Sequence, residues 1–398
     1  PVRVRFAPSP TGFLHLGGLR TALFNYLFAR RHGGQFVLRI EDTDQTRTVP
    51  GAMEQIMRTL HWANIRPDEG PGIGGAYQPY IQSERRSIYR SIADHLLKEH
   101  AAYRCFCTPE QLQHRRNEAI RAGRSTAYDR HCAHLTEREI DERIRLGTSY
   151  TVRLRVPPGK TIVEDVLYGR LTFQHTTQED SILLKSDGMP TYHLASVVDD
   201  HRMHITHVMR GEEWLPSTPK HMLLYSMLQW TPPTFIHLPL LLNTDHTKLS
   251  KRSQHADIRY YEQHGYLPET VVNFVALLGW SPKTTQELFT MDELIDQFSL
   301  KGLNRSGAVV SHDKLDWLNR HYLLKRCKEH DVAPLVAQLK SAASEHAMAE
   351  GNSAHDQAYL ERVLYTCKER ISTVHDIATQ FPFFFTRPNF NTSDARAF

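Results

Sequence analysis

The chain lacks most of the features that would place it in a class at a glance. No apolar run approaches the roughly 18 residues of a membrane span. Val271 to Trp280 is near the longest, and Asn273 breaks it, so no spanning helix and no membrane partner are expected. Cysteine is scarce and odd in number, five in 398 residues, with three of the five inside one short segment. That argues against a disulfide scaffold and for an intracellular protein with room for one metal site. Net charge is only +4, which permits a nucleic-acid partner without demanding one. There is no internal repeat, no low-complexity tract and no targeting peptide. The chain opens directly on a strand, so any presequence would have to lie outside it. Composition and length are those of a folded protein of roughly two to four domains.

The most informative stretch is the first 44 residues. Val2, Val4 and Phe6 alternate with Arg3 and Arg5, a strand period. Ala7-Pro8-Ser9-Pro10-Thr11-Gly12 cannot continue a regular element and is read as a loop. From Gly17 the period becomes helical: Leu19, Leu23, Tyr26 and Leu27 share a face, and Gly33-Gly34 ends it. Gln35 to Ile40 is a second, buried strand. A right-handed crossover would make the two strands parallel. A small-residue loop feeding a helix N-terminus gathers backbone N–H groups and the positive end of the helix dipole, which suits an anion such as a nucleoside triphosphate. His15 stands beside Gly17-Gly18, where its ring would lie against that anion. Glu41-Asp42-Thr43-Asp44 follows the second strand, at the end of the sheet where α/β proteins place ligands.

Further along, residues 45–65 read as a helix, 66–80 as a loop and 82–102 as an amphipathic helix. Cys105 to Asp187 changes character. It has two charged helical stretches, then strand-like runs at Tyr150–Val156, Thr161–Val166, Leu171–Thr176 and Ser181–Lys185, which together suggest an inserted α+β domain. Buried α/β character resumes at Thr191–Asp200, with strands at His204–Met209 and Phe235–Leu242 and a helix at Pro216–Leu228. From about Asp257 the pattern is helical, with Ser341–Gln357 read as a linker or long loop.

Two further constellations carry chemistry. Lys248-Leu249-Ser250-Lys251-Arg252 puts three cations on a loop after the sheet, where they could neutralise charge developing on a triphosphate. Cys105-Phe106-Cys107 and Cys132-Ala133-His134 are two close pairs of soft ligands, which can close a tetrahedral, structural Zn²⁺ site. The alternative is three free thiols and a surface histidine. Cys327 and Cys367 are isolated and read as packed side chains.

Together these motifs resemble class I aminoacyl-tRNA synthetases. His15-Leu16-Gly17-Gly18 stands in place of the HIGH motif, and Lys248 to Arg252 in place of KMSKS. The wider set is closer still to glutamyl-tRNA synthetases of bacterial or organelle type: Arg5 to Gly12, Glu41 to Asp44, Gly188 to Ala195, Val197 to Asp200 and Arg210 to Leu215. The resemblance runs from residue 1 to about 380. It implies an α/β fold in which a Rossmann-type parallel sheet is split by an inserted α+β domain and followed by a helical C-terminal region.

The implied division is 1–100 and 188–243 for the two halves of the catalytic domain, and 101–187 for an acceptor-stem-binding insertion with a zinc element at 105–134. A stem-contact domain with the lysine loop would occupy 244–322. An anticodon-binding region, expected to be incomplete, would occupy 323–398. The implied glutamate site is Arg5, Ala7, Ser9, Glu41, Tyr192, Ser196 and Arg210. Many family members carry Asn where Ser196 stands, and a hydroxyl replaces only part of an amide's hydrogen bonding. ATP would meet Thr11, His15, Gly17, Glu213, Trp214, Lys248 and Lys251, with His15, Lys248 and Lys251 as the catalytic group. The metal ligands would be Cys105, Cys107, Cys132 and His134.

The implied reaction is glutamyl-adenylate formation from glutamate and ATP with Mg²⁺, then transfer to the terminal ribose of tRNA(Glu), with tRNA(Gln) left open as a second acceptor. Arg115, Arg116, Arg121, Arg124 and Arg130 would face the acceptor end, and Arg370 the anticodon. A monomer is expected. The expected compartment is the mitochondrial matrix, from Phe383 to Pro388 and Lys248 to Ser250, with bacterial cytoplasm as the alternative. The competing functional readings are a shorter paralogue that glutamylates a modified tRNA base and a non-catalytic tRNA-binding homologue. The long chain after Arg252 argues against the first, and intact His15, Lys248 and Lys251 against the second.

Overall fold

A computed structural model describes residues 1–249, 256–347 and 356–385. Lys251, expected at the ATP site, lies outside the described residues with its neighbours Ser250 and Arg252. The opening unit is β1 (Arg3–Phe6), α1 (Leu16–Arg31) and β2 (Gln35–Leu38). The strands are parallel, with Arg3 opposite Gln35 and Phe6 opposite Leu38. Gly34 is required at the return, because a Cβ there would collide with the Val2 carbonyl.

Helix α2 (Ala52–Trp62) begins later than the expected 45. Residues 45–47 form only a 3₁₀ turn, and the helix waits for Gly51, whose φ of 76° breaks the path before it. Helix α3 (Arg86–Lys98) is likewise shorter than expected, and the end of that stretch becomes strand β3 (Ala102–Cys105). Helices α4 (Pro109–Arg121) and α5 (Glu137–Arg145) follow. Each starts with a capping box, Thr108 with Gln111 and Thr136 with Glu139, which satisfies orphan N–H groups at the helix start. Then come β4 (Thr151–Leu154), β5 (Lys160–Asp165), β6 (Gly169–Gln174) and β7 (Ile182–Leu184).

The second half of the sheet region is α6 (Tyr192–Arg202), β8 (His207–Gly211), α7 (Thr218–Met227), β9 (Thr234–Leu238) and β10 (Leu241–Leu242). The stretch before β8, expected to be a strand from His204, includes the left-handed residue His204 itself, at φ 54°. Helices then dominate: α8 (Ile258–Gln263), α9 (Pro268–Leu277), α10 (Met291–Gln297), the short strand β11 (Ala308–Val309), α11 (His312–Lys328), α12 (Ala333–Ala347), α13 (Gln357–Cys367) and α14 (His375–Gln380). Ser341 to Ala347 belongs to α12 and is not linker. Ala342 and Ala343 are buried in the C-terminal core, and alanine is the strongest helix former.

The main sheet runs β2-β1-β8-β9-β5-β6. β2, β1, β8, β9 and β5 are parallel neighbours, and β6 is an antiparallel edge. A separate antiparallel sheet runs β3-β4-β7. The β5–β6 hairpin was expected to lie with the insertion, but it extends the main sheet. Asp165 pairs with Phe235, and the Val166 N–H donates to the Phe235 carbonyl at 3.0 Å. Helix α1 covers one face of the main sheet with α9 and α10 behind it, while α3, α6 and α7 cover the other. Helices α11 to α14 form their own core. Because five strands are parallel, their carboxyl ends all open on one side, where a ligand finds backbone ends and side chains not used by the sheet.

Candidate active site

A cavity of about 1070 Å³ opens at those carboxyl ends. Arg5, Ala7, Ser9 and Glu41 line it after β1 and β2, and Tyr192 and Arg210 line it from α6 and the end of β8. Thr11, His15, Gly17, Glu213, Trp214 and Lys248 line the same cavity. Ser196 does not. It lies one turn after Tyr192 on α6, is 1% exposed, and its hydroxyl has no hydrogen-bond partner among the described residues.

At the end of the cavity formed by the loop after β1, His15 is the N-cap of α1. Its Nδ1 accepts from the Gly18 N–H at 3.2 Å. One N–H of the expected anion cradle is therefore taken by the histidine itself. With Nδ1 accepting, the neutral ring carries its proton on Nε2. Gly17 keeps this arrangement possible, because a Cβ would come within 3.2 Å of the His15 ring. The chain beyond the lysine loop returns to the same place: the Ile258 N–H donates to the Leu14 carbonyl at 3.1 Å, and the Arg259 guanidinium lies 3.5 Å from the Phe13 ring centroid.

At the other end, charges are buried in quantity. Arg5 Nε is 3.1 Å from Asp200 Oδ1, and Arg39 reaches Asp200 at 2.8 Å and Glu41 at 2.9 Å. Arg85 reaches Asp199 at 2.8 Å, where Gln82 and Tyr89 also donate. Three guanidiniums (Arg5, Arg39, Arg85) thus meet three carboxylates (Glu41, Asp199, Asp200), and the set cancels. Burial works to raise Asp200, but Arg5 and Arg39 outweigh it and hold the carboxyl below its usual range. For Glu41 burial wins over Arg39 and Arg5, and its pKa is raised. Arg5, a member of the implied glutamate site, is paired with Asp200. Arg39, Arg85 and Gln82 were not anticipated; the arginine two residues before Glu41 on a buried strand was the available signal.

Arg210 is different. It is 5% exposed, yet no carboxylate among the described residues pairs with it. Its Nε donates to His237 Nε2 at 3.0 Å. Nη1 donates to the Tyr192 hydroxyl at 2.8 Å and His221 Nδ1 at 3.3 Å, and Nη2 to the Thr218 hydroxyl at 2.8 Å and the Trp214 carbonyl at 3.4 Å. Every acceptor is neutral. Burial lowers the pKa of His221 and His237, and takes His193, which touches His221 at 3.2 Å, down to about 4. A buried cation with no carboxylate in contact is costly, and a substrate carboxylate would relieve that cost.

In the insertion, Cys105, Cys107 and Cys132 bring their sulfurs within 4.8 Å of one another. The Cys132 thiol, by hydrogen bonding, lowers the pKa of Cys105 to about 4. His134 does not join them. Residues 131–134 form a 3₁₀ turn, in which successive residues point about 120° apart, so burying Cys132 leaves His134 exposed. The Tyr128 hydroxyl is at the cluster instead, 3.3 Å from Cys105 Sγ and 3.8 Å from Cys107 Sγ, and it accepts from the Cys132 N–H. The three thiols can supply three of the four ligands of a closed zinc site, and Tyr128, whose hydroxyl burial keeps protonated, braces them by hydrogen bonds.

Of the arginines expected to face tRNA, Arg116, Arg121 and Arg124 are exposed. Arg115 pairs with Asp129 at 2.7 Å, and Arg130 with Asp180 at 2.7 Å. Arg370 is exposed. Cys327 and Cys367 are buried in the C-terminal core.

Comparison with known proteins places this geometry. The family model for the catalytic domain of class I tRNA synthetases (E and Q) matches residues 1–317. The glutamate--tRNA ligase of Chlorobium phaeobacteroides is 45% identical over 399 residues, covering 97% of this chain and 79% of that protein. That of Chlamydia trachomatis serovar L2 is 47% identical over 388 residues, covering 97% and 74%. The crystal structure of a glutamate tRNA ligase from Elizabethkingia meningosepticum, in complex with its amino acid, superposes with a TM-score of 0.88 at 40% identity, over all of this chain and 82% of that one.

Proposed function

Since the chain belongs to the class I tRNA synthetases of the glutamate and glutamine type, we propose that its cleft joins glutamate to tRNA with ATP, with Arg210 and Glu41 as the charged poles that select the amino acid. It is a glutamate--tRNA ligase in activity. The observation that carries the site reading is the contrast between a cancelled charge set at Arg5, Arg39 and Arg85 and Arg210 in the same cavity, which no carboxylate touches among the described residues. Glutamate's side-chain carboxylate would go to Arg210 and Tyr192. Its ammonium would go to Glu41, whose raised pKa falls back when a cation arrives. Ala7 and Ser9, with Arg5 behind them, would shape the floor. The α-carboxylate must stay free of a tight ion pair, because it is the nucleophile.

Thr11, His15, Gly17, Glu213 and Trp214 would hold ATP, with Lys248 and Lys251 closing on its phosphates. Glutamate's α-carboxylate oxygen attacks the α-phosphorus, the bond to the bridging oxygen breaks, and pyrophosphate leaves. The His15 Nε2–H and the lysines stabilise the charge that builds on phosphate oxygens, so catalysis is positioning and electrostatics without a covalent enzyme intermediate. Mg²⁺ would enter with the triphosphate, whose oxygens supply much of its coordination. The tRNA ribose hydroxyl then takes the glutamyl group and AMP leaves.

Residues 101–187 are read as the acceptor-stem insertion, less the hairpin that belongs to the main sheet. Residues 244–322 are read as the stem-contact part, and the helices from 323 as the part that approaches the anticodon. Zinc at Cys105, Cys107 and Cys132 would hold the insertion's tip together as a structural ion. The enzyme is read as a monomer. The relatives named above are bacterial, which favours bacterial cytoplasm over the mitochondrial matrix. Pyrophosphate exchange with glutamate, with and without tRNA, followed by charging of purified tRNA(Glu) and tRNA(Gln), tests the whole reading. No exchange under either condition would refute it, and charging of both tRNAs would add tRNA(Gln) to its substrates.

A further inference from the structure

We propose that Asp165 and His237 are positioning residues for amino-acid recognition: they fix the Arg210 guanidinium in place through a neutral imidazole, so that its charge is kept for the substrate. The inference rests on the reading of Arg210 as a glutamate ligand.

His237 is fully buried on β9, and Asp165 ends β5 beside it. Asp165 Oδ2 lies 2.7 Å from His237 Nδ1 and also accepts the His237 backbone N–H at 3.1 Å. A carboxylate in that place fixes the proton on Nδ1 and turns the lone pair of Nε2 outward. That lone pair meets Arg210 Nε at 3.0 Å, with the Thr218 hydroxyl at 3.2 Å. Asp165 is itself anchored, because its Oδ1 accepts the N–H groups of Leu167 at 2.9 Å and Tyr168 at 2.9 Å. The chain Asp165–His237–Arg210 therefore begins in the tight turn of the β5–β6 hairpin and ends in the cleft.

The chemical choice is informative. A carboxylate touching Arg210 would orient it equally well but would neutralise it and compete with the substrate. An imidazole held neutral orients without competing. Asp165 acts at one remove, close enough to set the tautomer and separated from Arg210 by the ring.

The test is a pair of substitutions that divide the imidazole's two contacts. In His237→Gln the side-chain oxygen can reach the Nε2 position and accept from Arg210. In His237→Asn the side chain can answer Asp165 but falls short of Arg210. Both are assayed by pyrophosphate exchange in the presence of tRNA, varying glutamate and ATP separately. His237→Asn should raise the glutamate KM by about tenfold or more, the loss of one hydrogen bond to a charged group, with the ATP KM within about twofold. His237→Gln should recover most of the glutamate KM. Equal effects on both substrates, or no difference between Asn and Gln, would overturn the proposal, because a packing role predicts both. If the Asn variant does not fold, Asp165→Asn removes the carboxylate that holds the proton on His237 Nδ1 and should give the same glutamate-only defect; an unchanged glutamate KM there would also overturn it. Arg210→Gln is run alongside. If it leaves the glutamate KM unchanged, the reading of Arg210 fails; if it raises it and His237→Asn does not, only the positioning role fails.

Discussion

Replacing Arg39 by Met tests the cancelled charge set directly. Arg39 is completely buried and contacts Glu41 at 2.9 Å and Asp200 at 2.8 Å, with Asp199 at 3.9 Å. Methionine has a similar reach and no charge, so the volume change is small and the electrostatic change is the main one. Three carboxylates would then face only Arg5 and Arg85, leaving one buried negative charge in excess. Breaking a buried pair in this way costs about 3–5 kcal/mol, against a total stability of about 5–15 kcal/mol for an ordinary domain. The excess charge is removed when a carboxyl takes up a proton, and Glu41, raised by burial even with Arg39 present, is the group to do so.

The sign follows. In the variant the folded-state pKa of that carboxyl lies further above its unfolded value, so the cost is full above the folded pKa and shrinks as pH falls through it. Urea titrations of wild type and Arg39→Met at pH 8 and pH 5.5 should therefore show a large stability difference at the higher pH and a smaller one at the lower. Adding Asp200→Asn to the variant should restore part of the loss at pH 8. A difference below about 1 kcal/mol, the scale of an exposed ion pair, or one equal at both pH values, would refute the reasoning.

Acid stability follows from the histidines behind Arg210. Burial takes His193 from 6.5 to about 4, so between those values the unfolded state binds the proton and the native state does not. That group alone should withdraw up to about 3 kcal/mol as pH falls across the window, with His221 acting in the same direction; His193→Gln should flatten the stability profile there. At the thiol cluster, Cys107→Ser should lower the zinc retained after dialysis, measured by elemental analysis, while Tyr128→Phe and His134→Ala should retain it; loss of zinc in His134→Ala would return the histidine to the ligand set. Gly17→Ala should push the His15 ring, since the new Cβ would stand 3.2 Å from it, and lower kcat for pyrophosphate exchange with little effect on melting temperature.

Local features of the fold were legible because they are carried by neighbours in sequence. The alternation in Val2 to Phe6 and the face Leu19, Leu23 and Leu27 place β1 and α1 within a residue or two of where they are. Features that depend on distant partners were not. Nothing near Thr161–Thr176 says that β5 pairs with β9, because the decisive contacts, Asp165 with Phe235 and His237, join residues about seventy apart. Ala102 to Cys105 is too short to show a strand period against the helix before it. Ser341–Ala347 looked like linker because its residues are small and polar, yet its Ala342 and Ala343 pack into the C-terminal core. In the site, residue types and poles were readable, but not their pairing. That Arg5 is matched by Asp200, and that Arg210 touches no acid among the described residues, can be seen only when β1, α6, β8, α7 and β9 are brought together.

That asymmetry also bears on how the site separates amino acids. On the proposed reading of Arg210, a glutamine in the cleft would add one more neutral acceptor to it, whereas glutamate would bring a carboxylate into contact. Unpaired buried charge is among the strongest means of rejecting a near-isostere. The same argument says that the folded enzyme without substrate carries Arg210 at a cost. Arg210→Met would remove the buried charge, and the groups it releases can turn to one another, since the Thr218 hydroxyl and His237 Nε2 are already 3.2 Å apart. The variant should therefore lose glutamate-dependent pyrophosphate exchange while its unfolding midpoint stays level or rises, the pattern expected where function is held against stability. If Arg210→Met instead lost more than about 2 kcal/mol, the order of a broken buried network, Arg210 would be a structural cation whose charge the fold itself requires, and the selection of glutamate would have to lie elsewhere in the cleft.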